Sequence, residues 1–196
     1  MQNDFIGIDY GSKLAGTSVI AFLNSKGQIE FAQSQKKQDA DAMIVDWIKT
    51  NHPSQIFIDA PLSLPLVYLD KQRAGDYFYR KADKEIKAMS PMFLGGLTAR
   101  AMRLKNLLEE EVGLIQEVYP GGLARHLELP KQAYKKEKTH LEPLSQSICQ
   151  KFNVLLHSSV QNWHQFDALL AYCIGIRYNN GENLKFGDPQ EGLIIV

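Results

Sequence analysis

Two short apolar runs in this chain each stop on an aspartate. Phe5-Ile6-Gly7-Ile8 leads into Asp9, and Ile56-Phe57-Ile58 leads into Asp59. Such runs are too short for a buried helix and fit strands covered on both faces. Between them, the alternation over Leu14 to Leu23, the turn Asn24-Ser25-Lys26-Gly27 and the run Gln28 to Gln33 predict a hairpin. Asp39 to Thr50 then reads as a helix, with apolar Met43, Val45, Trp47 and Ile48 and with Asp39 or Asp41 suited to its start. Strand, strand, strand, helix, strand is an α/β opening: an antiparallel meander that crosses over to a parallel strand.

Pro61 and Pro65 predict a loop over 60–70. A charged helix is expected from Lys71 to Lys87, a loop from Met89 to Gly96 and a helix from Leu97 to Glu111, which together make a helical insertion around 66–112. A strand follows over Leu114 to Val118, and Pro120 opens a short helix or turn. Residues 130–138 are lysine-rich and expected to be exposed. Leu141 to Phe152 and Asn162 to Tyr178 read as helices, Gly181 to Gly192 as a loop and Leu193 to Val196 as a last strand. The chain shows no repeat, no low-complexity tract and no splitting linker, so one domain over 1–196 is expected. With 44% hydrophobic and 22% charged residues, wholesale disorder is excluded. The two cysteines, Cys149 and Cys173, form no CxxC pair, which argues against a zinc knuckle and for a reducing compartment. No window nears the roughly 18 apolar residues of a membrane span, and the N-terminus has no leader pattern. A cytoplasmic protein with no membrane partner is expected.

Asp9, Asp59 and Glu117 all stand at the C-terminal side of expected core strands, where α/β sheets gather their ligands. If these strands are neighbours, their carboxylates converge. Converging carboxylates repel one another in a low dielectric, and a divalent cation removes the conflict. Oxygen-only ligands select hard ions, Mg²⁺ or Mn²⁺. A fourth candidate is Asp167, which falls on the apolar stripe of Trp163, Phe166, Leu170, Cys173 and Ile174. An aspartate there costs several kcal/mol to bury, even after relaxation, unless it is paired or bound to metal. His164 lies one turn earlier and can reach the same place.

Gly7-Ile8-Asp9-Tyr10-Gly11-Ser12-Lys13 resembles the first strand and turn of RNase H-like folds, including relatives of Holliday-junction resolvases. Phe166-Asp167-Ala168-Leu169-Leu170-Ala171 resembles their last helix. The chain as a whole resembles the predicted RNase H-like nuclease family, also called domain of unknown function 429. Four further segments carry that likeness: Ile58-Asp59-Ala60-Pro61-Leu62-Ser63-Leu64-Pro65; Arg73-Ala74-Gly75-Asp76; Gln116-Glu117-Val118-Tyr119-Pro120; and Gly187-Asp188-Pro189-Gln190-Glu191-Gly192-Leu193-Ile194-Ile195. The resemblance implies a central mixed five-stranded sheet with its first three strands antiparallel, flanked by helices. It implies that Asp9, Asp59, Glu117 and Asp167 are catalytic and form the metal site. Resolvase-type sites often carry two acidic residues one turn apart on the last helix, and here His164 takes the earlier place as a further candidate ligand.

The chemistry expected of such a site is hydrolysis of a nucleic-acid phosphodiester, DNA or RNA, with the carboxylates as ligands of Mg²⁺ or Mn²⁺. The net charge of zero excludes the simplest signature of a nucleic-acid partner, a strongly basic chain. It hides a local excess of nine Lys or Arg over three acids between Lys71 and Lys105. Tyr77, Phe78 and Tyr79 lie within that segment and can stack on bases. Arg73, Arg80 and Arg100, with bidentate guanidinium groups, are the expected phosphate contacts, and Lys13 beyond Asp9 is another. Two other classes stay open: a non-catalytic module binding nucleic acid or nucleotide, and a phosphate-binding domain related to actin-like ATPases. Assembly into a homo-oligomer is also open.

Overall fold

A computed structural model describes residues 5–70 and 75–196. Its centre is a sheet of β1 (Phe5–Asp9), β2 (Val19–Leu23), β3 (Ile29–Gln33), β4 (Gln55–Asp59) and β5 (Leu114–Glu117), in the order β3-β2-β1-β4-β5. β1, β2 and β3 pair antiparallel, while β4 runs parallel to both β1 and β5. This mixed five-stranded sheet flanked by helices has the RNase H-like topology that the sequence predicts.

Strand alternation sorts the core into two layers. Ile6, Ile8, Ile56 and Ile58 face one side and pack with Ile44 and Ile48 of α1 (Ala40–Asn51) and with Ala101, Leu104 and Leu108 of α4 (Gly96–Leu108). Val19, Ala21 and Phe57 face the other side and pack with Phe166, Leu169, Leu170 and Ile174 of α7 (Trp163–Asn179). Asp39 caps α1 by accepting from the backbone N–H groups of Asp41 and Ala42. Asn162 caps α7 by accepting from that of Gln165.

Gly7 sets how closely β1 and α7 approach. A Cβ there would sit 2.2 Å from Tyr172 N and 2.7 Å from Ala168 O, both backbone atoms. The smallest residue is needed because two backbones touch at that point.

Between β4 and β5 the chain differs from the expected pattern. The helix foreseen over Lys71 to Lys87 is only α2 (Lys81–Ile86) within the described residues, and residues 71–74 lie outside them. Asp76 accepts from the N–H groups of Phe78 and Tyr79, a side-chain turn that competes with helix. The expected loop over Met89 to Gly96 contains α3 (Pro91–Leu94), started by Ser90 as cap and Pro91 at the first helical position. α5 (Pro120–His126) and α6 (Leu141–Phe152) lie where Pro120 and the apolar spacing put them. The expected loop over Gly181 to Gly192 holds β6 (Lys185–Asp188), which pairs antiparallel with β7 (Gly192–Ile195). No helix among the described residues is long and apolar enough to cross a membrane.

Candidate metal centre

The parallel register of β1 and β4 sets Asp9 directly beside Asp59, as Gly7 is set beside Phe57. Phe57 belongs to the layer against α7, so both aspartates, two residues on from Gly7 and Phe57, face that helix. Asp167, in the second turn of α7, faces back toward them. One carboxylate oxygen from each of Asp9, Asp59 and Asp167 lies within 4.8 Å of the other two. Three elements far apart in sequence thus deliver three carboxylates to the carboxyl edge of the sheet.

The surroundings of the three differ. Asp167 is nearly inaccessible and its two oxygens are taken: Tyr134 Oη donates to Oδ1 at 2.6 Å, and Lys135 Nζ lies 2.7 Å from Oδ2. Asp9 is buried, and its Oδ2 lies 2.8 Å from Nδ1 of His164. Asp59 makes no side-chain hydrogen bond or ion pair with any described residue. A carboxylate with no direct partner beside two others is a conflict that a divalent cation would relieve.

The titration of these groups follows. Burial raises the Asp59 carboxyl well above its ordinary range, and the neighbouring charges of Asp9 and Asp167 add to it. Burial also raises Asp9, against the lowering by its hydrogen bond to His164. That same hydrogen bond raises the His164 imidazole, with burial opposing it. At Lys135 burial disfavours the charge, but the carboxylates of Asp167, Asp59 and Asp9 outweigh it and raise the ammonium overall.

The donor set fits a hard divalent ion. Three carboxylates offer the oxygen-only donors that such an ion takes, and Asp9, Asp59 and Asp167 would be the residues to hold it. A cavity of about 300 Å³ adjoins the cluster, lined among others by Asp9, Asp59, Glu117, Lys135, Met89 and Leu97.

The other residues singled out in the sequence stand elsewhere. Glu117 pairs with Ile58 rather than with Asp59, so it stands outside the three-aspartate cluster while still lining the same cavity. Its Oε1 and Oε2 accept from Arg80 Nη2 and Nη1 at 2.6 and 2.7 Å, and Oε2 also accepts from Leu62 N at 2.8 Å. Burial still raises the Glu117 carboxyl, with Arg80 opposing. Arg80, expected on a phosphate, is instead fully buried. It links Glu117 to Asp83 and donates to Ser63 Oγ at 2.8 Å, which corrects the expectation for this residue. The physical reason is charge: two buried carboxylates need a cation between them.

Arg100 grips Asp41 through Nε at 3.0 Å and Nη2 at 2.6 Å, donates to Gly11 O at 3.1 Å and covers the Tyr10 ring. Tyr10 Oη donates to the same Asp41 at 2.6 Å. Arg100 thereby ties the loop after β1 to α1 and α4. Lys13 is half-exposed and pairs with Asp39 at 3.0 Å. Arg73 lies outside the described residues.

Sequence reasoning missed Tyr134 and Lys135. The lysine-rich run 130–138 reads as a solvated segment, and only Tyr134, the one aromatic residue within it, hinted at docking. Its ring packs edge-on against Trp163 and beside Phe166 of α7. The chain matches no known family model and no curated protein.

Proposed function

We propose that the protein is a metal-dependent nuclease of the RNase H-like superfamily, related to the predicted nucleases of domain of unknown function 429. The observation that carries this reading is the convergence of Asp9, Asp59 and Asp167 oxygens within 4.8 Å at the carboxyl edge of an RNase H-like sheet. In this reading those three aspartates hold Mg²⁺ or Mn²⁺. The bound ion would supply activation of water and charge neutralisation at a phosphodiester. His164 orients Asp9, and Tyr134 fixes Asp167 by its hydrogen bond. Glu117, held by Arg80 and Leu62 N, anchors the loop after β4 and so fixes the direction of Asp59. RNase H-like folds are generally associated with nucleic acid, and a cavity of about 300 Å³ lies beside the carboxylates.

The test is incubation with single-stranded, flap, branched and RNA–DNA hybrid substrates, with Mn²⁺ or Mg²⁺ and with chelator. Cleavage of at least one substrate class is expected, lost in chelator and reduced to background in Asp9→Asn. Cleavage that survives Asp9→Asn defeats the assignment. Metal-dependent nucleotide binding without cleavage points instead to a phosphate-binding module.

A further inference from the structure

Lys135 lies in the irregular segment between α5 and α6, yet that segment is fixed from several sides. Tyr134 packs its ring against Trp163 and Phe166 and donates its hydroxyl to Asp167. Lys136 O accepts from Trp163 Nε1 at 3.1 Å. Lys135 itself has φ of 57°, a left-handed conformation that disfavours any residue with a Cβ. A glycine would relieve the strain, but a glycine could not deliver an ammonium. Its Nζ lies 2.7 Å from Asp167 Oδ2, while the side chain is 53% exposed.

We propose that the Lys135 ammonium is a resident counter-cation of the carboxylate cluster, which a divalent ion must displace from Asp167 in order to bind. The inference rests on the metal reading above. One ammonium only partly neutralises three carboxylates, so the metal-free cluster stays negative and attracts a stronger cation. An ammonium and a divalent ion on one carboxylate stand close enough to repel each other. Because the lysine side chain is half exposed, the displaced ammonium returns to water without crossing the core. Lys135 thereby sets the metal concentration at which the centre loads, and it stabilises the cluster below that concentration. It is a positioning residue of the metal-free state, not a ligand.

The experiment is calorimetric titration of Mn²⁺ into the metal-free full chain at fixed pH and ionic strength, for wild type, Lys135→Met and Lys135→Gln, with circular dichroism to establish folding. The two neutral variants are expected to bind Mn²⁺ about tenfold more tightly than wild type. In the same samples, the metal-free variants should melt at a lower temperature than wild type, and their Mn²⁺-induced rise should be larger. Using two variants of different polarity guards against one that fails to fold. Equal or weaker Mn²⁺ binding by folded variants, with wild type still binding, overturns the counter-cation and leaves the metal reading standing. Absence of Mn²⁺ binding in wild type and variants alike overturns the metal reading and the counter-cation together.

Discussion

At the residue scale, Asp59 is set apart by having two carboxylates beside it and no direct hydrogen bond or ion pair with a described residue, Lys135 acting on it only from a distance. Its folded carboxyl titrates well above the unfolded value near 3.8, because burial and then Asp9 and Asp167 disfavour the charge. Between those two values the folded chain holds more protons than the unfolded chain, so stability falls as pH rises through that window. Replacing Asp59 with Asn keeps the shape and removes the charge. Metal-free Asp59→Asn should be about 1–2 kcal/mol more stable than wild type at pH 7. The gain should shrink toward pH 4, where the wild-type carboxyl is protonated. Urea denaturation at the two pH values measures both quantities, and a less stable Asn variant at pH 7 refutes the account. Asp9, Asp59 and Asp167 were legible in the sequence because each breaks a local rule: two end apolar strands and one interrupts an apolar helix stripe. Lys135 breaks no such rule. Its role comes from where Tyr134 docks, which no local pattern encodes. Arg80 was misread for a related reason, since its partners Ser63 and Glu117 lie 17 and 37 residues away.

At the scale of elements, the site depends on how closely β1 and α7 approach. β1 carries Asp9 two residues after Gly7, and α7 carries Asp167 one residue before Ala168, whose carbonyl oxygen meets Gly7. A methyl group at Gly7 meets backbone rather than a flexible side-chain end, so the helix itself must shift. Gly7→Ala should therefore cost about 1–3 kcal/mol by overpacking. The same shift moves Asp167 away from Asp9 and should weaken Mn²⁺ binding. Denaturation midpoints and calorimetry read the two effects. A cost below about 0.5 kcal/mol, within the range of ordinary surface substitutions, removes the close approach as a constraint. The strands and long helices were legible because apolar runs and 3.6-residue stripes belong to the elements themselves. The segment between β4 and β5 was less so. Its charge pattern suits a helix, but the Asp76 side chain offers the backbone a competing turn. Register was also invisible: Glu117 pairs with Ile58 rather than with Asp59, and its carboxylate is bound by Arg80 instead of joining the three-aspartate cluster.

At the scale of the whole molecule, the balance of charge limits how nucleic acid can be held. The excess of Lys and Arg between Lys71 and Lys105 suggests a broad basic surface. The fold spends much of it internally. Arg80 is enclosed with Glu117 and Asp83, Arg100 is bound to Asp41, Lys84 to Asp76 and Lys81 to Glu85. Of that segment's described cations, Lys87, Arg103 and Lys105 make no ion pair with a described residue. Three or four phosphate contacts are a reasonable ceiling for such a surface. Each contact contributes about −0.7 to the logarithmic salt dependence of single-strand binding. Binding of a labelled single-stranded oligonucleotide by Asp9→Asn should then show a slope of roughly −2 to −3. Fluorescence anisotropy across a salt series measures it directly. A slope steeper than about −5 would mean that further cations meet phosphate, either the surface-paired Lys81 and Lys84 or the lysines of 130–138. In that case affinity would come from the chain's basic surface. With the shallow slope, the basic surface contributes few contacts, and in the proposed reading the metal-loaded centre of the wild-type chain and the cavity beside it must supply the rest of the grip on a substrate.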